Sequence, residues 1–233
     1  MPDLSQELNR IAQLRELLIL DSAPEPVFDS IVKLASEVCA APIALVSLVD
    51  AERQWFKASV GLPGVNETPR DIAFCAHAIQ DDALFEVPDA TLDDRFAANP
   101  LVTGDPDIRF YAGAPLVLDG GARVGTLCVI DRKVRQLDAS QKHILTSLAK
   151  IAAEALQARR DLIQRTRVAT LLGAFRSRPP VDMAALENVL LRLSEMVCEL
   201  PWLAELDINP LLVDEHGALA LDARIAIAPR VPT

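Results

Sequence analysis

Cysteine and histidine are too few and too scattered in this 233-residue chain to build a metal centre or a disulfide framework. The four cysteines, Cys39, Cys75, Cys128 and Cys198, contain no CxxC pair and lack disulfide-scaffold density, which suits a reducing compartment. His77, His143 and His216 form no pair at ligand spacing with two cysteines, so the common structural zinc patterns are excluded. Long apolar runs are also missing: none approaches the roughly 18 residues of a membrane span. The opening MPDLSQELNRIAQLREL alternates charge like an amphipathic helix, whereas a signal peptide is basic and then apolar. Basic residues are in deficit, with 23 Lys and Arg against 33 Asp and Glu, and the net charge of −10 is spread along the chain, which excludes a nucleic-acid-binding face. Internal repeats and low-complexity segments are absent. The expectation is a soluble cytoplasmic protein with no membrane or nucleic-acid partner.

What is present is a half-apolar composition, enough for one large domain or one typical domain plus a smaller piece. Leu8, Ile11, Leu14, Leu17 and Leu18 recur at helical spacing, and after the break DSAPEP a second helix follows on Val27, Ile31, Leu34 and Val38. PIALVSLVD is apolar on both alternating sets and predicts a central strand buried on both faces. QWFKASV predicts its hairpin partner, with Phe56, Ala58 and Val60 alternating with Lys57 and Ser59. RDIAFCAHAIQ predicts a short helix capped by Asp71, and LFEVPDA a brief strand. Residues 91–107 read as mostly loop. RFYAGAPLVL and ARVGTLCVID form a hairpin through Asp119, Gly120 and Gly121. A long helix starts at DASQ, a capping box with Gln141 reaching back, and Ile144, Leu148, Ile151, Ala155, Ala158 and Leu162 lie along a coiled-coil-like seam.

That order describes an α+β fold, an antiparallel sheet with flanking helices. The segments APIALVSLVDAERQWFKASVGL, FCAHAI, PDATLDDRFAANPLVTGDPDIRFYAGAPL and GTLCVID occur in order and closely resemble the GAF domain of bacterial sensor kinases and cyclic-di-GMP enzymes, over about residues 5–160. The resemblance implies a sensory module with a small-molecule pocket on one sheet face and terminal helices that form a homodimer. The residues placed around that pocket are Phe74, Cys75, His77, Asp89, Phe96, Arg109, Phe110 and Tyr111. Arg95 and Asp131 are further polar candidates, although charges at strand ends are more often solvated or paired with loop backbone.

Cys75 near a helix start is open to two readings, a reactive thiol and a small buried hydrophobe, of which the second is the commoner. His77, two residues on, points in another direction on a helix. FCAHAI does not reproduce the bilin-attachment context of phytochrome-like members. The free methionine sulfoxide reductase branch needs an attacking and a resolving thiol, and Cys128 is expected in a core strand.

The C-terminal stretch behaves differently. In ELDINPLLVDEHGALALDARI, a turn symmetric about Glu215 and His216 places Asn209 opposite Asp222 and Asp207 opposite Arg224, with Glu205 on the same face. An amide oxygen facing a carboxylate is a reasonable pair of magnesium ligands. Together with FRSRPPVDMAALENVLLRLSEMV, whose helix Asp182 caps, this stretch resembles the C-terminal end of the ATP-grasp domain of ADP-forming acyl-CoA synthetases, over about residues 170–227. The resemblance implies that Asn209 and Asp222 are ligands of magnesium-nucleotide. The lysine-bearing, glycine-rich half of such a site is missing from the chain.

The reading is therefore a GAF sensor in residues 1–165, non-catalytic and without a definite cofactor, followed by a partial ATP-grasp-like segment in residues 166–233. Its expected partners are a second copy, bound through the terminal helices, and a signalling output protein. The alternative is a regulatory or complementing subunit of an acyl-CoA synthetase, with Asn209 and Asp222 supplying metal ligands for Mg-ATP.

Overall fold

The computed structural model describes residues 4–164, 182–200, 202–208, 211–214 and 216–227. The chain divides into two compact units, Met1–Arg160 and Asp161–Thr233.

The first unit is built on six antiparallel strands: β1 Ile43–Val49, β2 Arg53–Val60, β3 Glu67–Pro69, β4 Phe85–Val87, β5 Phe110–Val117 and β6 Arg123–Asp131. Their order across the sheet is β3-β2-β1-β6-β5-β4, so β1 is central, as its apolar run predicts. Every residue of β1 is buried. Because side chains alternate, Ala44, Val46 and Leu48 enter one core and Ile43, Leu45 and Val49 the other.

The first core lies under three helices, α1 Leu4–Glu16, α2 Pro26–Cys39 and α5 Ala139–Gln164. The second lies under α3 Phe74–Ala78, α4 Pro100–Thr103 and the intervening loops. At the start of α5 the capping box forms as read: Gln141 N–H donates to the Asp138 carboxylate at 2.8 Å, and Asp138 N–H donates to the Gln141 side chain at 3.1 Å.

Three local expectations are corrected. Helix α2 buries Phe28, Ile31, Val32, Ala35 and Cys39, while Val27 and Leu34 are exposed, because the apolar set is broad enough to define two adjacent stripes. Asp71 does not cap α3. It lies in a separate 3-10 turn, Arg70–Ile72, and α3 starts after Ala73 with no side-chain cap. In β2 the register shifts, Val46 pairing with Ala58 and Ser47 with Phe56, so Lys57 is the extra residue of a β-bulge. Phe56 and Ala58 consequently face opposite cores.

The bulged Lys57 is fully buried against the α1–α2 connection. Its ammonium donates to Ser22 Oγ at 2.9 Å, Ala23 O at 2.5 Å and Glu25 Oε1 at 2.5 Å. Arg159 of α5 places its Nε 3.2 Å from the same carboxylate oxygen and donates to Leu18 O at 2.6 Å. One carboxylate thus joins β2, the α1–α2 connection and α5. At the other end of the helical layer, Glu7 pairs with Arg10 and Arg70, each at 2.7 Å. The Arg10 hydrogen bond, aided by Arg70 and opposed by burial, holds the Glu7 carboxyl down to about 2.

In the second unit, α6 Met183–Glu199 is capped by Asp182, whose carboxylate accepts from Ala185 N–H at 2.9 Å. Strand β7 Leu203–Ile208 pairs with β10 Ala223–Ile227, and β8 Leu211–Asp214 with β9 Gly217–Ala220. Asp207 stands opposite Arg224, the register that the symmetric turn predicts. Asn209 lies outside the described residues. Among the described residues no helix is long and apolar enough to cross a membrane.

Candidate functional site

The sheet face under α3 gathers most of the predicted pocket residues. Strands β5 and β6 turn Tyr111, Thr126, Cys128 and Ile130 toward it, and β1 contributes Ser47 between Leu45 and Val49. The α3 helix sets Phe74 and Cys75 down on these residues, and the turn after Asp93 brings in Phe96.

Rings fill the space. Phe74 stacks on Phe96 with centroids 4.0 Å apart and on Tyr111 at 5.2 Å, and His77 meets Phe96 edge-on at 4.8 Å. Phe85, which sequence reasoning missed, packs against Phe96 and Tyr111. Arg95 lies over Phe85 and Phe96, its guanidinium carbon 4.8 and 5.3 Å from their centroids, held there by the Asp93 carboxylate. Burial and then the neighbouring Arg95 charge push the His77 imidazole below its ordinary value.

Below the rings lies a sulfur and hydroxyl cluster. Cys75 Sγ accepts from Thr126 Oγ1 at 3.1 Å and from Tyr111 Oη at 3.2 Å, and stands 3.9 Å from Cys128 Sγ. Both cysteines are free thiols and almost wholly buried. Gly113 makes the arrangement possible: a methyl group there would collide with the Tyr111 hydroxyl. The signal for Cys128 was available in β6, where Thr126, Cys128 and Ile130 alternate onto one face. The distance to Cys75 was not, since it depends on how α3 docks.

Other predicted residues have different places. Asp89 accepts from Thr91 N at 2.9 Å and Thr91 Oγ1 at 2.6 Å, closing a local turn. Arg109 donates to Val102 O at 2.9 Å and pairs with Asp107 at 2.6 Å, so it staples the loop that leads into β5. Asp131 pairs with Arg135 at 2.9 Å. Phe110 is a correction: strand alternation sends it to the opposite face, into the helix-covered core, with Arg135 over its ring. A surface cavity of about 380 Å³ lies elsewhere, lined by Gln6, Glu7, Arg10, Gln13, Gln80 and Arg123 among others, and none of the predicted pocket residues borders it.

In the tail, Asp222 is exposed with Arg224 Nε 3.9 Å away. Among the described residues no three His, Cys, Asp or Glu side chains converge as a metal site. A single solvated carboxylate beside a guanidinium does not by itself fit a magnesium-nucleotide ion.

The model of the GAF domain matches residues 23–156, and that of an ATP-grasp domain residues 144–227. Over 134 residues, 58% of this chain, the sequence is 48% identical to a cyclic di-GMP phosphodiesterase of Pseudomonas aeruginosa, of which it covers 23%. Over 67 residues, 29% of this chain, it is 33% identical to acetate–CoA ligase (ADP-forming) I subunit beta of Pyrococcus furiosus, of which it covers 29%. The chain therefore spans less than a third of either curated relative. Among solved structures, the GAF domain of a phosphoenolpyruvate-protein phosphotransferase from Coxiella burnetii superposes with a TM-score of 0.50 at 16% identity, covering 68% of this chain and 96% of that one.

Proposed function

Because the chain belongs to the GAF domain family, whose model matches more than half of its length, we propose that it is a non-catalytic signal-receiving module, dimeric through its terminal helices. The observation that carries this reading is the two-faced sheet. One face holds the aromatic and thiol cluster under short, locally held elements, and the other carries the three helices. A small molecule taken up under α3 displaces rings that contact β5 and β6, and the same strands form the floor of the helical layer. The 48% identity with a segment of a cyclic di-GMP phosphodiesterase supports a signalling role. Exposed Leu8, Val27, Leu34 and Ile151 on α1, α2 and α5 supply apolar surface for a second copy.

Native mass spectrometry of freshly purified protein tests both parts. The expected spectrum is a dimer, converted to monomer by Ile151→Glu, with a small molecule retained per chain. A strict monomer at high concentration removes the dimer, and ligand-free protein whose melting temperature no metabolite pool raises removes the ligand.

The match of residues 144–227 to an ATP-grasp domain favours a second reading, a segment that completes the nucleotide site of an acyl-CoA synthetase partner. It predicts magnesium-dependent ATP binding only with that partner present, weakened at least tenfold by Asp222→Ala. Equal titrations for wild type and variant, with the partner and without it, remove this reading.

A further inference from the structure

We propose that Cys75 and Cys128 are a redox pair, in which Cys75 is the thiol attacked first by a peroxide and Cys128 is the resolving thiol that closes an intramolecular disulfide. The inference is separate from ligand binding, because a chain that takes up no small molecule would still oxidise.

The geometry carries it. The two sulfurs are 3.9 Å apart in a pocket of hydroxyls, and closing to a disulfide needs a movement of about 2 Å, within reach of a side-chain rotation and a small shift of α3. The helix is well suited to give way: it has five residues, no side-chain cap, and only a single 3-10 turn before it and a loop after it. Its opening is also the route by which a small oxidant enters, since both sulfurs are closed to solvent in the resting fold.

The roles of the two thiols follow from their partners. Burial alone would raise the Cys75 thiol, but hydrogen bonds from Cys128, Thr126 and Tyr111 outweigh it and bring it below its ordinary value. Ser47, a buried hydroxyl on the same sheet face, acts in the same direction. Cys128 is pushed the other way, first by its hydrogen bond to the Cys75 sulfur and then by burial. Because the Thr126 and Tyr111 hydroxyls both donate to the Cys75 sulfur, at 3.1 and 3.2 Å, Cys75 is the first of the pair to become a thiolate. The other described cysteine, Cys39, lies in the helix-side core, where burial raises it, and it serves as an internal control.

With hydrogen peroxide as the oxidant the steps balance. The Cys75 thiolate attacks one peroxide oxygen, the O–O bond breaks, and hydroxide leaves and takes a proton to become water. The product is a sulfenic acid at Cys75. The Cys128 sulfur then attacks the Cys75 sulfur, the S–O bond breaks, and hydroxide departs with the Cys128 proton as a second water. Two thiols and one peroxide become one disulfide and two waters. Tyr111 and Thr126 lose their thiolate acceptor, and α3 becomes tied to a central strand.

The test treats the full native chain with hydrogen peroxide, removes the peroxide, unfolds the chain in denaturant containing N-ethylmaleimide to block remaining thiols, and maps tryptic peptides. Cys75 lies in peptide 71–95 and Cys128 in peptide 124–132, so the cross-link appears as their covalent pair. The expected result is that pair, two hydrogen atoms lighter than its separate members and reversed by dithiothreitol. In Cys128→Ser, Cys75 stops at a sulfenic acid trapped by dimedone. Tyr111→Phe, which removes one donor to the sulfur and leaves the ring, slows cross-linking about tenfold at pH 7. Absence of the 71–95 to 124–132 pair in the peroxide-treated wild type, whether or not Cys39 or Cys198 is oxidised, overturns the proposal, whatever the variants do. An unchanged rate in folded Tyr111→Phe overturns the role given to the thiolate donors.

Discussion

Glu25→Ala is expected to destabilise the first unit by roughly 3–5 kcal/mol, because it removes the carboxylate shared by two buried cations. The Lys57 side chain has 0% and the Arg159 side chain 6% of its surface exposed, against 13% for Glu25. Lys57 keeps Ser22 Oγ and Ala23 O as acceptors after the substitution, and Arg159 keeps backbone carbonyls, so the hydrogen bonds survive in part. The charge compensation that Glu25 gives to both cations is lost. Water cannot replace it without opening the connection between α1 and α2, whose Leu18 and Asp21 already adopt positive φ. Urea denaturation at pH 7 gives the measurement, with an unchanged slope and a lower midpoint. Glu25→Gln, which keeps an acceptor without the charge, is expected to lose less. Lys57→Met in the Glu25→Ala background should recover part of the loss, since an apolar side chain of similar length suits the burial better than an ammonium that has lost its carboxylate. A loss below about 1 kcal/mol, the range of exposed pairs, would show that solvent reaches the cluster.

Phe96→Ala is expected to cost a similar roughly 3–5 kcal/mol, as large-to-small aromatic substitutions in cores do. The ring is 1% exposed and touches Phe74, His77 and Phe85, with Arg95 above it. With Ala90, Val102 and Ile108 it makes the segment between β4 and β5 part of the core. Phe96 N–H donates to Asp93 O at 2.8 Å, and its carbonyl accepts from Asn99 N–H at 2.8 Å. The substitution leaves a hole bounded by Phe74, Phe85 and Tyr111 that an apolar aromatic probe such as benzene should fill, raising the midpoint of the variant and not of the wild type. An unchanged midpoint in Phe96→Ala would mean that this loop folds independently of the sheet, and the aromatic cluster would then have no part in coupling it to β5.

What could be read without coordinates was local or periodic. The run IALVSLV has apolar residues on both alternating sets, as a strand covered on both faces requires, and β1 is that strand. The DGG turn, the Asp138–Gln141 capping box and the Asp182 cap each involve groups within a few residues of each other, so their chemistry is complete in a short window. The tail register followed from one symmetric turn, because antiparallel partners must sum to a constant. The candidate site was legible only as a set of segments. Phe74, Cys75, Phe96 and Tyr111 do converge, whereas Phe110, next to Tyr111 in sequence, faces the other core because neighbours on a strand must.

The sequence by itself determined the GAF fold, the central strand, the helix starts capped by Asp138 and Asp182, and the segments from which the sheet face with the rings and thiols is drawn. These follow from hydrophobic periodicity and from side chains that satisfy nearby backbone groups. Only the tertiary structure decided that Lys57 is a bulge residue buried on Glu25 with Arg159, and that Cys128 stands 3.9 Å from Cys75 beneath Tyr111 and Thr126. Each of those contacts joins residues tens of positions apart, and its distance is set by how a short helix or a chain connection packs on a twisted sheet, which no local pattern encodes.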